Sequence, residues 1–520
     1  MSVSSARSSR RTWSTRLAAT VVAGALVLPV GLSAALAGPA AAPSPGAAGI
    51  GDPYFPKYGN GGYDVRHYAI GVRYSLGSHK LVGDTTLRAR ATQDLSRFDL
   101  DLQLPARKVW VDGRRATFSQ HGRELVVTPR SSLATGDPFV VRVTYAGFPA
   151  KVASHGIGAW WTTSDGALAA GEPEVATLWF PSNDHPRDKA TFDIFATTAA
   201  AKQVISNGRL LGKVRHGKQR TWHWRMPDPM ATYLATVVIG DYQIERGTSP
   251  GGIPYLYAMT RHMKGALARN ARSSLRITPR VVDFYTRKFG FYPFVNAGGT
   301  LVNASFGFSL ENQTRPNYSK VFFTGGPDHE VVAHELAHMW WGDSVSVHNW
   351  RDIWLNEGFA TWSSWFYLVN EPGADVTLNE VFKSNYNSLK SWTEFWELSI
   401  SDPGKSRVFD WAVYARGALA LQALRNVMGA PAHNQLMQEW AASHRDGNGT
   451  VAEFEALAES ISGLDLSTFF AEWLDQADRP LPSADLGFPA SMLPGKAGSS
   501  DVSPRLPSYL LLRHQRQLRY

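Results

Sequence analysis

The chain has 520 residues, 44% of them hydrophobic and 19% charged, with a formal net charge of +9 and no cysteine. That length accommodates about three domains by the usual prior, and the composition excludes a disordered or fibrous protein. The missing cysteines exclude a disulfide framework and any thiolate metal ligand, and a single long apolar run excludes a polytopic membrane protein.

That run lies at the N-terminus, where Arg7, Arg10, Arg11 and Arg16 precede an apolar stretch from Leu17 that ends in small residues at Ala35 and Ala37. A basic start, an apolar centre and a small-residue cleavage site describe a secretory signal over residues 1–37. A secreted or extracytoplasmic protein is predicted, with no stable membrane insertion once the signal is cut; an uncleaved anchor is the alternative. Ser9-Arg10-Arg11-Thr12-Trp13 also resembles a twin-arginine signal. Without those four arginines the formal charge falls from +9 to +5, so the basic balance does not point to nucleic acid.

Residues 38–51 form an Ala/Pro/Gly linker, and residues 52–245 are strand-rich. Phe98 to Leu102 alternates with period two, and Glu124 to Thr128, Phe139 to Thr144 and Tyr233 to Ile239 are β-prone runs between turn residues. An all-β domain is expected there. From residue 246 to 482 the pattern shifts to helices: Pro279 opens one that Gly290 closes, and others cover Tyr414 to Met428, His433 to Ser443 and Val451 to Ile461. Residues 483–520 are rich in Pro, Ser and Gly and read as a poorly ordered tail. The fold class is therefore multidomain α+β, an all-β domain followed by a mainly helical one.

Within the helical part lies His334-Glu335-x-x-His338, followed eighteen residues on by Asn356-Glu357. Residues at i and i+4 of a helix share one face, so two imidazoles can converge on one metal ion. Asp328 is placed to cap this helix and Gly342 to stop it. Glu335, beside the first ligand, is placed to act as general base toward a water that the metal acidifies. The earlier pair His329-Glu330 is a decoy, because that register puts Ala333 where the second histidine is needed. Trp341 and Ser344 stand where a metzincin would carry Gly and His, so a carboxylate third ligand is preferred. Glu357 is the best placed, on a helix-like run from Asp352 to Trp362 among apolar residues, where an unpaired carboxylate would be costly to bury. One Zn2+ per chain is expected, with an open fourth position.

From about Asp52 to Leu481 the chain resembles the gluzincin zinc aminopeptidases typified by aminopeptidase N and leukotriene A4 hydrolase. The markers are His334 to Gly342 (HELAHMWWG), Trp354 to Ala360 (WLNEGFA), Gly171-Glu-Pro, Trp179-Phe-Pro181, Phe289 to Pro293 (FGFYP) and Val413 to Ala418 (VYARGA). The resemblance implies a saddle-like β domain, a thermolysin-like catalytic domain and hydrolysis of peptides with a free N-terminus, the first residue being neutral or basic. It assigns Tyr414 as the oxyanion donor, Glu311 as the carboxylate that binds the substrate's α-ammonium, and Glu172 as a second amine-binding group. A thermolysin-like endopeptidase and a non-catalytic zinc-containing exported binding protein are the alternatives. Three departures stand out. Phe308 replaces the glycine that usually opens the Gly-x-Met-Glu-Asn motif, which reshapes the wall beside the scissile bond. Ala170 replaces a common glutamine near the substrate's first side chain, and the chain ends without the helical C-terminal domain of many relatives.

Overall fold

The computed structural model describes residues 42–153 and 156–494; the expected signal over residues 1–37 and the tail beyond 494 lie outside them. The N-terminal β domain is built on an eight-stranded sheet in which Tyr63–Tyr74 and Leu81–Ala91 form the central hairpin. Tyr63–Tyr74 also runs parallel to Ala190–Ala199, with Ile70 opposite Ile194. Alternation decides which face is buried: in Leu81–Ala91 every second residue, from Leu81 to Ala91, is buried and the residues between are mostly exposed. A four-stranded sheet carrying Leu95–Asp101 and Glu124–Thr128 packs its apolar side, including Phe98, Leu100, Leu125 and Val127, into the same core.

A further sheet, ordered Gly156–Thr162, Ala167–Pro173, Val237–Gly240, Gln203–Ser206, leads toward the site. The strand expected over Tyr233 to Ile239 is divided here. Thr232–Leu234 forms a 3-10 turn and only Val237–Gly240 joins the sheet. Buried side-chain bonds, with Thr236 N–H donating to Asn207 Oδ1 at 2.8 Å, hold the break. The expected boundary at 245 falls inside the strand Tyr242–Thr248, which with Pro254–Thr260, Ala297–Leu301 and Asn317–Tyr318 makes the sheet of the second domain. Sheet and helix patterns are interleaved there.

The helices of that domain are α1 (Gly265–Leu275), α2 (Thr278–Phe289), α3 (His329–Ala337), α4 (Trp354–Leu368), α5 (Leu378–Leu389), α6 (Thr393–Trp396), α7 (Trp411–Met428), α8 (Ala430–Ser443), α9 (Val451–Ser462) and α10 (Ser467–Phe470). Every residue of α4 is buried, so it is the central helix. Among the described residues no helix is long and apolar enough to cross a membrane. Residues 483–488, assigned to the tail on composition, are packed: Trp473 Nε1 donates to Leu486 O at 3.1 Å, and Phe488 fits against Phe382, Tyr386 and Trp473. One buried aromatic supplies enough apolar area to anchor a segment whose overall composition is polar. At the other end, Ser44–Pro45 of the linker adds a short parallel strand beside Leu95–Asp101.

Candidate active site

Helix α3 starts where Asp328 caps it, its carboxylate accepting from Val331 N–H at 3.0 Å. His334 and Glu335 lie in its last turns, and His338 follows at its C-cap in helical conformation. Two imidazoles and a carboxylate from α4 then meet: His334 Nε2 is 3.1 Å from His338 Nε2, and Glu357 Oε2 is 3.3 and 3.4 Å from the two. Ligands about 2.0–2.1 Å from a tetrahedral zinc ion are about 3.3 Å from one another, so the donor set fits a zinc ion closely. His338 is held by its other nitrogen, which donates to Trp341 O at 2.8 Å and leaves Nε2 as a lone pair. That bond needs the tight turn at Gly342, where φ is +120° and an added Cβ would sit 3.2 Å from His338 Nδ1. Lys189 of the β domain clamps the same turn, donating to the carbonyls of Asp343 and Ser344 at 2.9 and 2.8 Å.

The expected decoy behaves as one toward the metal: His329 pairs with Glu371 at 3.2 Å, away from the donor set. Glu330, however, lines the cleft.

Glu311 and Glu172 arrive from different domains. Glu311 leads into a loop riveted by buried amides, with Asn312 Nδ2 donating to Leu234 O at 3.0 Å and Asn207 Nδ2 to Gln313 O at 2.8 Å. Its carboxylate accepts from Tyr233 O–H at 3.1 Å. Glu172 ends the strand Ala167–Pro173, is 2% exposed, and has one carboxylate oxygen with no hydrogen-bond partner. Both face the cleft together with His334, Glu335, His338, Glu357 and Tyr414. The β domain and the zinc helices thus build one site.

The site holds more buried acid than base. Burial, with the charge of nearby carboxylates adding to it, pushes Glu172, Glu311, Glu335 and the neighbouring Asp343 above their ordinary range, while His338 opposes the shift in Glu311, Glu335 and Asp343. Glu357 moves the other way: burial resists, but His338 and His334 hold it down to about 2. Burial opposes charge on His338, yet the surrounding glutamates raise it to about 10. Such a cluster calls for added positive charge, which a divalent metal supplies in part.

Tyr414 sits in the first turns of α7, its ring stacked on His334 at 6.2 Å and on Trp411 at 5.9 Å. Burial, then Glu357, Glu172, Glu311 and Glu335, push its phenol well above the usual value, so it stays a proton donor. Two features place α7. Arg416 is buried and donates to the carbonyls of Trp396, Leu398, Glu472, Trp473 and Gln476. Gly417 meets Gly358 of α4, the residue after Glu357, so closely that an added Cβ on Gly417 would lie 2.8 Å from Gly358 Cα.

Of the three departures, Phe308 does form part of the cleft wall, packed on Phe306 with ring centres 4.7 Å apart. Ala170 and Leu310 are 0% and 1% exposed and do not line the cleft; Ala170 instead offers its carbonyl to Trp161 Nε1 at 3.3 Å. Trp411, Phe322 and Glu330 line the cleft and were not anticipated from sequence. Trp411 is three residues before Tyr414 and Glu330 four before His334, so helical spacing from the known site residues would have pointed to both.

Residues 66–234 match the Peptidase M1 N-terminal domain and residues 327–473 the Peptidase family M1 domain. The chain belongs to peptidase family M1. Its curated relatives include a probable M1 family aminopeptidase 2 of Encephalitozoon cuniculi, 26% identical over 60% of this chain and 39% of the relative. Aminopeptidase N of Streptomyces lividans is 28% identical over 57% of this chain and 36% of that protein. The chain thus spans less than two fifths of the length of these relatives. A solved M1 zinc metallopeptidase from Deinococcus radiodurans, a mutant bound to a Tyr-Ser-Ala substrate, matches with a TM-score of 0.76 and 25% identity, covering 84% of this chain and all of that one. The two-domain M1 architecture and the Zn2+ cofactor follow from these likenesses together with the donor geometry.

Proposed function

We propose that this M1 protein is an aminopeptidase that removes N-terminal residues from peptides with a free amine. The observation that carries the reading is the buried pair Glu172 and Glu311 beside the zinc donors, one carboxylate oxygen of Glu172 lacking any partner. A substrate ammonium is the group that would complete them, and an acetylated amine is not.

His334, His338 and Glu357 would hold the zinc ion, which when bound supplies a Lewis acid that polarises a carbonyl and acidifies water. Glu335 takes a proton from the attacking water and returns it to the departing amine as the C–N bond breaks. Tyr414 donates its phenolic hydrogen to the oxygen on which negative charge develops. Glu311 and Glu172 fix the ammonium, and with it the distance to the scissile bond, so that one residue is released per event. Export from the cytoplasm is part of the proposal and rests on residues 1–37 alone; N-terminal sequencing of the secreted protein tests it.

Hydrolysis of an alanyl anilide by the zinc-loaded protein, with its N-acetyl counterpart left intact, is the expected result. Loss of a general base costs about 10²–10⁴-fold, so Glu335→Gln is expected to lower kcat by about that factor. Equal cleavage of acetylated and free substrates, or full activity of that variant, would sink the reading.

A further inference from the structure

A second groove adjoins the cleft. It is lined by Arg269, Arg272, Arg276 and Arg280, which run along α1 into α2 at spacings of 3, 4 and 4 residues, and by His329. Arg269, Arg276 and Arg280 are exposed and Arg272 is partly so. Among the described residues these side chains make few ion pairs: Arg276 lies 3.5 Å from Glu245 and His329 3.2 Å from Glu371, while Arg272 donates to the neutral Gln243. Arg280 also faces Glu371. Four guanidiniums are thus met by two carboxylates at the rim, and no carboxylate lines the groove itself. Arg272 is shared with a neighbouring depression that adds Arg261 and Lys264. The basic surface is therefore continuous along α1.

The first turn of α3 borders both the groove and the cleft. His329 lines the groove, whereas the next two residues, Glu330 and Val331, line the cleft. A peptide held by its ammonium at Glu311 and Glu172 and leaving past Glu330 passes onto the groove, each extended residue advancing about 3.3 Å.

We propose that this groove is an exosite for acidic segments of the substrate, downstream of the bond that is cut. The proposal rests on the aminopeptidase reading and names the class of peptide the site favours. Several exposed charge pairs, each weak and screened by salt, add up to a preference of about tenfold at low ionic strength. The experiment compares kcat/KM for peptides with one N-terminal sequence, Ala-Ala-Ser-Ser, followed by three Asp, three Ser or three Lys, in 50 mM and 500 mM salt. An alanyl anilide, too short to reach the groove, serves as reference. The wild type is expected to favour the Asp tail about tenfold over Ser at low salt and less than about twofold at high salt. The double variant Arg269→Glu/Arg276→Glu is expected to lose that preference and turn toward the Lys tail, with anilide hydrolysis unchanged. Equal rates for the three tails, or an Asp preference that survives the double variant, would overturn the exosite while leaving the aminopeptidase reading standing. No anilide hydrolysis by the wild type would overturn that reading and the exosite with it.

Discussion

Replacing Gly417 by alanine tests whether the contact between α4 and α7 sets the distance between the zinc ligands and the oxyanion donor. Glu357 precedes Gly358 on α4, and Tyr414 lies one turn before Gly417 on α7. An alanine Cβ at 417 would stand 2.8 Å from Gly358 Cα and 3.5 Å from Trp354 Cε3, whereas ordinary contact begins near 3.4 Å. The clash is with backbone, which has no rotamer to change, so the helices must part by about 0.6 Å, the amount by which the contact falls short of ordinary van der Waals separation. Overpacking of this kind costs about 1–3 kcal/mol, and removal of a helix-interior glycine returns about 1 kcal/mol. A net loss of about 0–2 kcal/mol is expected, with the fold kept. Activity is more sensitive, because a 1 Å misplacement of catalytic groups costs about 10²-fold. A shift near half of that predicts a fall in kcat of about tenfold, with KM little changed and one zinc ion retained per chain. Steady-state kinetics on an anilide, metal analysis and a thermal melt measure the three quantities. Wild-type kcat with a raised Tm would refute the reasoning, since it would mean that the glycine pair only weakens two helices.

Tyr414→Phe removes one hydrogen-bond donor while keeping the ring that stacks on His334, so kcat is expected to fall about 10²–10³-fold with zinc content unchanged. Glu311→Gln should raise KM for free-amine substrates at least about tenfold while the acetylated peptide stays uncleaved, read from steady-state kinetics on the free peptide. Removal of the metal with a chelator should lower Tm and make stability fall as pH rises. Glu172, Glu311 and Glu335 have native pKa values raised above the unfolded 4.5, chiefly by burial, and His338 is raised to about 10 from 6.5. Groups raised in this way favour the native state below their unfolded pKa and lose that contribution as pH climbs through the native value. Glu357, depressed to about 2, acts in the opposite sense and only between about pH 4.5 and 2. Melts of the stripped protein from pH 5 to 9 should therefore decline, and added zinc should flatten the profile; a stripped protein that gains stability over that range would contradict the charge accounting.

Much of the site is local in sequence and was legible there. His334 and His338 share one helical face with Glu335 adjacent to the first, so their spacing carries their geometry, and Asp328 and Gly342 mark the ends of that unit. Strands with clean alternation, such as Glu124–Thr128, appear where the pattern puts them. Tyr233 shows the limit: β propensity suggested a strand, yet a turn fixed by Asn207 takes its place and carries the phenol to Glu311. Phe488 shows another, since composition placed it in a tail and three distant aromatics pack it into the core.

The sequence by itself determined the metal and the order of the two domains and pointed to His334, His338 and Glu357 as its donor set, because these follow from patterns local to a helix or a strand; it put Glu335 forward as the base by the same adjacency. Resemblance to a family added roles for Glu311, Glu172 and Tyr414 but no position for them. Only the tertiary structure decided that carboxylates more than a hundred residues apart, Glu172 on a β-domain strand and Glu311 on a riveted loop, face the same zinc donors. The same holds for the Gly358–Gly417 contact that presses α7 against α4 and for the run of arginines that meets the cleft at His329 and Glu330. Such proximities arise from packing between elements remote in the chain, and no periodicity within one element encodes them.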